Sequence, residues 1–128
     1  MMFDTDVLIW ASRGSFQAAA WINSDPHRAV SIVSVMEVLQ GARSRNDMKS
    51  LQQSFRTLQF RILPLTESIG HVALALIEEH ALAAGLQIPD ALIAATAIDA
   101  GEVLATSNVR HFRSIRSLEV KAFRPSQH

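Results

Sequence analysis

Acidic residues stand at the points where short apolar segments of this chain give way to helix-like patterns. Asp4 and Asp6 follow the apolar N-terminal residues, Glu37 follows a small β-branched run, and Asp90 begins an apolar stretch. Carboxylates held a few ångströms apart repel one another, so such a cluster needs a bound cation or raised pKa values. A divalent ion binds oxygen ligands and lowers the pKa of a coordinated water. If these acids converge, they predict hydrolysis of a phosphodiester bond.

Each of the three separated acids also has an ordinary structural interpretation. Aspartate is a preferred N-cap, which suits Asp4, and Ser34 to Glu37 has the S-x-x-E pattern of a capping box. Asp90 lies in the first turn of a predicted helix, where a carboxylate offsets the helix dipole. The residue types alone leave both interpretations open, and only convergence of the three side chains favours a metal site.

Apolar periodicity predicts strands that alternate with helices along the whole chain. This alternation indicates an α/β fold, a three-layer α/β/α sandwich with a mostly parallel central sheet of four to five strands. In such sheets ligands bind at the carboxyl ends of the strands, where Asp4 and Glu37 are expected. The predicted strands are 1–4, 29–33, 60–63, 103–106 and 118–123, and the predicted helices begin near Asp4, Phe16, Ser34, Gly41, Thr66 and Pro89.

Composition places limits on the type of protein. With 128 residues, of which 48% are hydrophobic, the chain predicts a single domain over residues 1–124 and a frayed tail over 125–128. The sequence has no cysteine, so any metal must be held by oxygen or histidine nitrogen. We find no signal segment and no apolar run of about 20 residues, so we expect a cytoplasmic protein with no membrane span. The net charge is zero, unlike that of strongly basic nucleic-acid binders.

Four motifs in order resemble one known family, the PIN-domain nucleases, and within it the VapC-type toxins of toxin-antitoxin pairs. Each motif is weak alone, but their order and spacing in a chain of this length are specific. They are Met2-Phe3-Asp4-Thr5-Asp6, Ser34-Val35-Met36-Glu37, Ile88-Pro89-Asp90-Ala91 and Leu104-Ala105-Thr106-Ser107-Asn108 with the residues that follow each.

The resemblance implies a PIN-like fold and an endoribonuclease that depends on Mg²⁺ or Mn²⁺. It also implies inhibition by a VapB-like antitoxin and favours a homodimer. Asp4, Glu37 and Asp90 correspond to the metal-binding and catalytic acids, and Thr106 to a hydroxyl that orients one of them. Many family members have an acid where this chain has Asn108, which can still offer a carbonyl oxygen to the metal.

Three other features bear on the predicted site. Often the family has a further acid where this chain has His111, and together with Asn108 this departure leaves the number of ions open. Asp6 replaces a common Asn or Ser and is a possible compensating acid or a first-turn helix acid. Arg110, His111 and Arg113 follow the same strand and are predicted to contact RNA phosphates, which position a substrate without reading its sequence.

Two other functions remain open from the sequence. An RNA-binding or protein-binding domain would have lost catalysis with the fourth acid. Asp4-Thr5-Asp6 also resembles the start of the haloacid-dehalogenase phosphatases, whose first Asp is a nucleophile, although the later lysine of that family has no well-placed counterpart. Apolar stripes on residues 43–58 and around Trp10, Phe16 and Trp21 predict either core packing or a partner surface.

Overall fold

The computed structural model describes residues 1–125, and of the predicted tail 125–128 only Pro125 lies within this range. The strands are β1 (Met2–Phe3), β2 (Ala29–Ser31), β3 (Arg61–Leu63), β4 (Leu104–Thr106) and β5 (Val120–Ala122). The helices are α1 (Thr5–Ser12), α2 (Phe16–Ser24), α3 (Ile32–Gln40), α4 (Arg45–Leu58), α5 (Glu67–Ala84), α6 (Ile88–Ala100) and α7 (Val109–Phe112). The short α7 was not predicted from the sequence.

The five strands form one sheet in the order β3-β2-β1-β4-β5, and every neighbouring pair is parallel. The predicted α/β class and parallel sheet are therefore confirmed. The chain adds β2 and β3 on one side of β1 and then crosses to add β4 and β5 on the other. The carboxyl ends of β1 and β4 thus lie at the point where the strand order reverses, which is the usual ligand position in such sheets.

Successive residues of the central strands face opposite sides of the sheet, and each side has its own apolar core. Met2 and Leu104 pack into a core with α5 and α6, whereas Phe3 and Ala105 pack into a second core with α1 and α2. Because both faces are covered at the centre of the sheet, every residue of β1, β2 and β4 is buried, whereas the outer strands β3 and β5 carry exposed residues. The layers confirm the predicted sandwich.

The start of α3 differs from the predicted capping box. Strand β2 ends at Ser31, two residues earlier than predicted, and Ser31 is the N-cap, whose hydroxyl accepts a hydrogen bond from the Val33 N–H at 3.1 Å. Ser34 is then a buried residue inside the helix. The S-x-x-E pattern occurs one turn inside the helix, so the capping interpretation of Glu37 is wrong and its carboxylate is free for another role.

The two apolar stripes predicted from the sequence differ in how much of each is buried. In α4, Leu51 and Phe55 are half-buried against the second core, so this stripe packs on the domain. Trp21 stacks on Phe123 with ring centroids 5.4 Å apart, which also makes it a core residue. Phe16, in contrast, is 84% exposed. Within residues 1–125 no helix has both the length and the hydropathy needed to span a membrane.

Two glycines of α5 provide a matched test of the helix limits. Gly85 ends α5 with φ +69°, whereas Gly70 lies inside the helix, and both have open space where a Cβ would stand. We expect Gly85→Ala to lower the free energy of unfolding by about 1 kcal/mol because of its left-handed backbone. Gly70→Ala should raise it by about 0.5–1 kcal/mol, because alanine favours helix. Urea titration measures the free energy of unfolding of both variants. If it changed in the same direction in both, these helix limits would be contradicted.

Candidate active site

Asp4 lies at the centre of the site, at the end of β1. It is only 4% exposed. Its Oδ1 accepts a hydrogen bond from the Thr5 N–H at 2.8 Å, and its Oδ2 accepts one from the Thr106 hydroxyl at 2.7 Å. Asp4 therefore caps α1, as one interpretation of the sequence expected, and is also held by a hydroxyl at the end of the neighbouring strand β4. Two donors on different elements fix the plane of this carboxylate.

Asp6 lies in the first turn of α1 and is bound to the loop after β4. Its Oδ2 accepts hydrogen bonds from the Ser107 backbone N–H at 2.9 Å and from the Ser107 hydroxyl. The Asn108 N–H in turn donates to the Thr106 hydroxyl oxygen at 3.0 Å. Asp6 thus ties α1 to the segment that carries Asn108, while adding a second negative charge beside Asp4.

Glu37 is oriented by a hydroxyl from α1. The Thr5 hydroxyl donates to Glu37 Oε1 at 2.7 Å and lies 3.0 Å from the Ser34 hydroxyl oxygen. Ser34 is completely buried. These contacts join α1 to α3 and direct Glu37 toward the end of the sheet where Asp4 lies. Thr5 and Ser34 were not recognised as site residues in the sequence, although both lie within three residues of a predicted acid.

Asp90, in the first turn of α6, lies against a residue from α7. His111 Nδ1 is 3.2 Å from Asp90 Oδ2, with the histidine side chain 56% exposed and the aspartate 23% exposed. His111, predicted to contact RNA, thus touches one of the three acids. Within the described part of the chain, Arg110 and Arg113 form no salt bridge, and both side chains are exposed.

The acids affect one another electrostatically. Burial, followed by the charge of Asp6 and then that of Asp90, raises the pKa of Asp4 to about 7, while the hydrogen bonds from Thr106 and Thr5 oppose this rise. Burial also raises the pKa of Asp90, where the nearby His111 lowers it and the charges of Glu37 and Asp6 raise it. The fold therefore brings together the three predicted acids and Asp6. Among residues 1–125, no three acidic or histidine side chains are already arranged as a closed set of metal ligands.

An apolar groove lies away from the acids, between α4 and helices α1 and α2. Its volume is about 460 Å³, and its lining includes Leu8, Ala19, Ile22, Leu51, Phe55 and Leu58. Leu51 and Phe55 belong to the stripe on α4 that sequence analysis identified. These two side chains therefore pack against the second core on one side and line the groove on the other.

Comparisons with known proteins agree with this geometry. The family model described as PIN domain matches residues 1–118. Ribonuclease VapC10 from Mycobacterium tuberculosis (strain CDC 1551 / Oshkosh) is 34% identical over 125 residues, which cover 93% of this chain and 90% of that protein.

Solved structures show the same similarity. A toxin-antitoxin complex from Klebsiella pneumoniae contains a chain that is 30% identical, with a TM-score of 0.78, 94% of this chain and 95% of that chain being covered. VapBC2 from Rickettsia felis, bound to a DNA fragment from its promoter, matches with a TM-score of 0.80 at 20% identity, over 96% of this chain and 98% of that chain, and so supports the fold alone. Through its strand order, its grouped acids and these matches, the chain belongs to the PIN-domain family, among the relatives of the VapC ribonucleases.

Proposed function

We propose that this protein is an endoribonuclease toxin of a toxin-antitoxin pair, and that it hydrolyses RNA with Mg²⁺ or Mn²⁺ held at the acids. The observation that carries the proposal is the grouping of Asp4, Asp6, Glu37 and Asp90 at one end of the sheet, where Asp4 is 4% exposed and burial, followed by the charge of Asp6, raises its pKa to about 7. Its relatives include a protein named as a ribonuclease and chains from toxin-antitoxin complexes.

The chemistry of the donor set fits a divalent ion. Asp4, Asp90 and Glu37 offer carboxylate oxygens. The amide oxygen of Asn108 is the proposed further ligand, because the Asn108 backbone N–H donates to the same Thr106 hydroxyl that binds Asp4. Mg²⁺ keeps several of its waters and is usually held by only one or two carboxylates together with substrate phosphate oxygens. A set of acids in a sequence without cysteine therefore suits this ion better than a structural zinc, which is held mainly by cysteine and histidine.

The metal ion, when bound, would supply charge that stabilises the phosphate and lowers the pKa of an attacking water. The protein residues have separate tasks. Asp4 is held rigidly by Thr5 and Thr106, so it serves as the fixed ligand. Glu37 accepts a hydrogen bond from Thr5 through Oε1 only, which leaves Oε2 to take a proton from the attacking water. Asp6 positions the loop through Ser107.

Arg110 and Arg113 are proposed to contact the RNA backbone. Both are exposed on and just after α7, the helix that also places His111 beside Asp90. Arginine binds phosphate oxygens with a rigid fork of N–H donors, and such contacts position the strand without selecting a base. This arrangement provides positive charge near an otherwise acidic site in a chain with zero net charge.

A VapB-like antitoxin is the proposed inhibitor, with a homodimer as the proposed toxin assembly. The groove between α4 and helices α1 and α2 is apolar and open enough to receive an apolar segment of a partner. The phosphatase alternative is less favourable, because it needs a lysine at the site, whereas Lys49 lies in α4 and Lys121 lies over the Trp21 ring.

Replacing Asp90 tests the activity. We expect Asp90→Asn to lower the rate of RNA cleavage in Mn²⁺ by about 100-fold or more, because it removes a charged ligand from the site. Asp99→Asn is the matched control, since Asp99 is an exposed acid on the same helix, and its rate should be unchanged. Gel analysis of a structured RNA, with and without Mn²⁺, measures both. Equal cleavage by the Asp90→Asn variant and the unaltered protein would contradict the proposal.

The pKa of Asp4 predicts a pH dependence of stability. Because its pKa rises from 3.8 when unfolded to about 7 when folded, the folded state binds more protons between these values. Stability contributed by the protonated form is then present below pH 4 and is lost as pH rises toward 7. In the absence of metal, Asp4→Asn should escape this loss, which is about 4 kcal/mol for a shift of about three pKa units.

Denaturant titration from pH 4 to pH 7.5 measures this difference. Asp99→Asn should lose stability over this range as the unaltered protein does, because Asp99 lies at the opposite end of α6 from Asp90 and asparagine keeps an oxygen that can accept the Ser68 hydrogen bond. Saturating Mn²⁺ should restore stability to the unaltered protein at pH 7.5 but much less to Asp4→Asn, since a cation relieves the repulsion. If the free energies of unfolding of Asp4→Asn and the unaltered protein changed equally with pH, the raised pKa of Asp4 would be contradicted.

A further inference from the structure

His111 faces an acid of the active site although it comes from a different element. Phe112, the next residue of α7, is completely buried and anchors this short helix in the core with α6. The anchored helix sets His111 Nδ1 3.2 Å from Asp90 Oδ2. The ring is 56% exposed, so water and ions can reach the nitrogen. The site therefore contains a nitrogen donor beside its carboxylates.

The separation of the two atoms suits a shared ion as well as a hydrogen bond. Two ligands that each lie about 2.1 Å from one ion, with about 90° between them, are about 3.0 Å apart. Asp90 Oδ2 and His111 Nδ1 already have nearly this spacing. The distance between the two atoms is therefore compatible with both binding one ion.

We infer that His111 is a nitrogen ligand of the ion that Asp90 holds, and that this makes the site prefer Mn²⁺ to Mg²⁺. The inference rests on the proposed function and specifies its metal. Mn²⁺ also prefers oxygen, but as a transition metal it accepts an imidazole nitrogen more readily than Mg²⁺, which takes oxygen ligands and gives up its waters reluctantly. A nitrogen ligand consequently adds affinity for Mn²⁺ and little for Mg²⁺.

A simple ion pair is the competing explanation of the same contact. In that case His111 would only fix the position of the Asp90 carboxylate, and replacing His111 would weaken the binding of Mn²⁺ and Mg²⁺ equally. If His111 is a direct ligand, its replacement should weaken the binding of Mn²⁺ and leave that of Mg²⁺ nearly unchanged. The comparison of two metals in one variant therefore separates the two explanations.

Calorimetric titration of the full chain with Mn²⁺ and, separately, with Mg²⁺ provides this comparison. We expect His111→Asn to weaken Mn²⁺ binding by about 10-fold or more and to change Mg²⁺ binding by less than about 2-fold. His71→Asn is the matched control, because His71 also lies beside a carboxylate, with Nε2 3.7 Å from Glu67 Oε1, on the exposed surface of α5. It should bind both ions as the unaltered protein does.

Pulsed electron paramagnetic resonance of bound Mn²⁺ gives a second readout that does not depend on activity. Coupling to a histidine nitrogen should be present in the unaltered protein and in His71→Asn, and absent in His111→Asn. Mn²⁺ binding without nitrogen coupling, or an equal weakening of both ions in His111→Asn, would overturn this inference alone. Failure of the unaltered protein to bind either ion would overturn it together with the proposed metal-dependent function.

Discussion

Repulsion between carboxylates in a partly buried place is the interaction on which the rest of the site depends. Asp4, Asp6, Glu37 and Asp90 come from three helix starts or helix turns, and burial removes water that would otherwise screen them. The fold holds them there by hydrogen bonds and packing. Such an arrangement lowers the stability of the folded protein in the absence of a cation. Buried groups of like charge are a common feature of active sites.

The sheet order explains why these acids meet. Strand β1 lies in the middle, with β2 on one side and β4 on the other. Residues that follow these parallel strands are far apart in sequence but lie close together at the carboxyl end of the sheet. Hydroxyl groups then connect the elements: Thr106 binds Asp4, and Thr5 binds Glu37. Each of these hydroxyls satisfies a carboxylate oxygen without adding charge. The site is thereby oriented while remaining negative and able to attract a cation.

Much of this arrangement was predictable from the sequence because it follows from local patterns. The alternation of apolar strands and helices gave the fold class, and the rule that ligands bind at the carboxyl ends of parallel strands placed Asp4 correctly. The N-cap of α3 was mispredicted. Ser31 and Ser34 are both residues that commonly cap a helix, and only the position where β2 ends decides which of them is the cap. Local patterns can place a helix start only within a few residues.

Contacts between distant elements could not be predicted in the same way. His111 reaches Asp90 through a four-residue helix that has too few residues to show a periodic pattern. The contact of Thr5 with Glu37 spans 32 positions and depends on how α1 packs against α3. Sequence reasoning therefore identified the charged residues of the site and, through the family resemblance, the Thr106 hydroxyl that binds Asp4. It did not identify Thr5 and Ser34, because their contacts with Glu37 and with each other depend on how the helices pack.

Anomalous X-ray scattering from crystals of the protein grown with Mn²⁺ tests the central claim most directly. We expect a Mn²⁺ peak at the sheet edge, within about 2.5 Å of a carboxylate oxygen of Asp4 or Asp90 and with water completing its coordination. Collection at the manganese absorption edge identifies the ion without relying on activity. Full occupancy of Mn²⁺ elsewhere on the surface, with the four carboxylates left without an ion, would contradict the account.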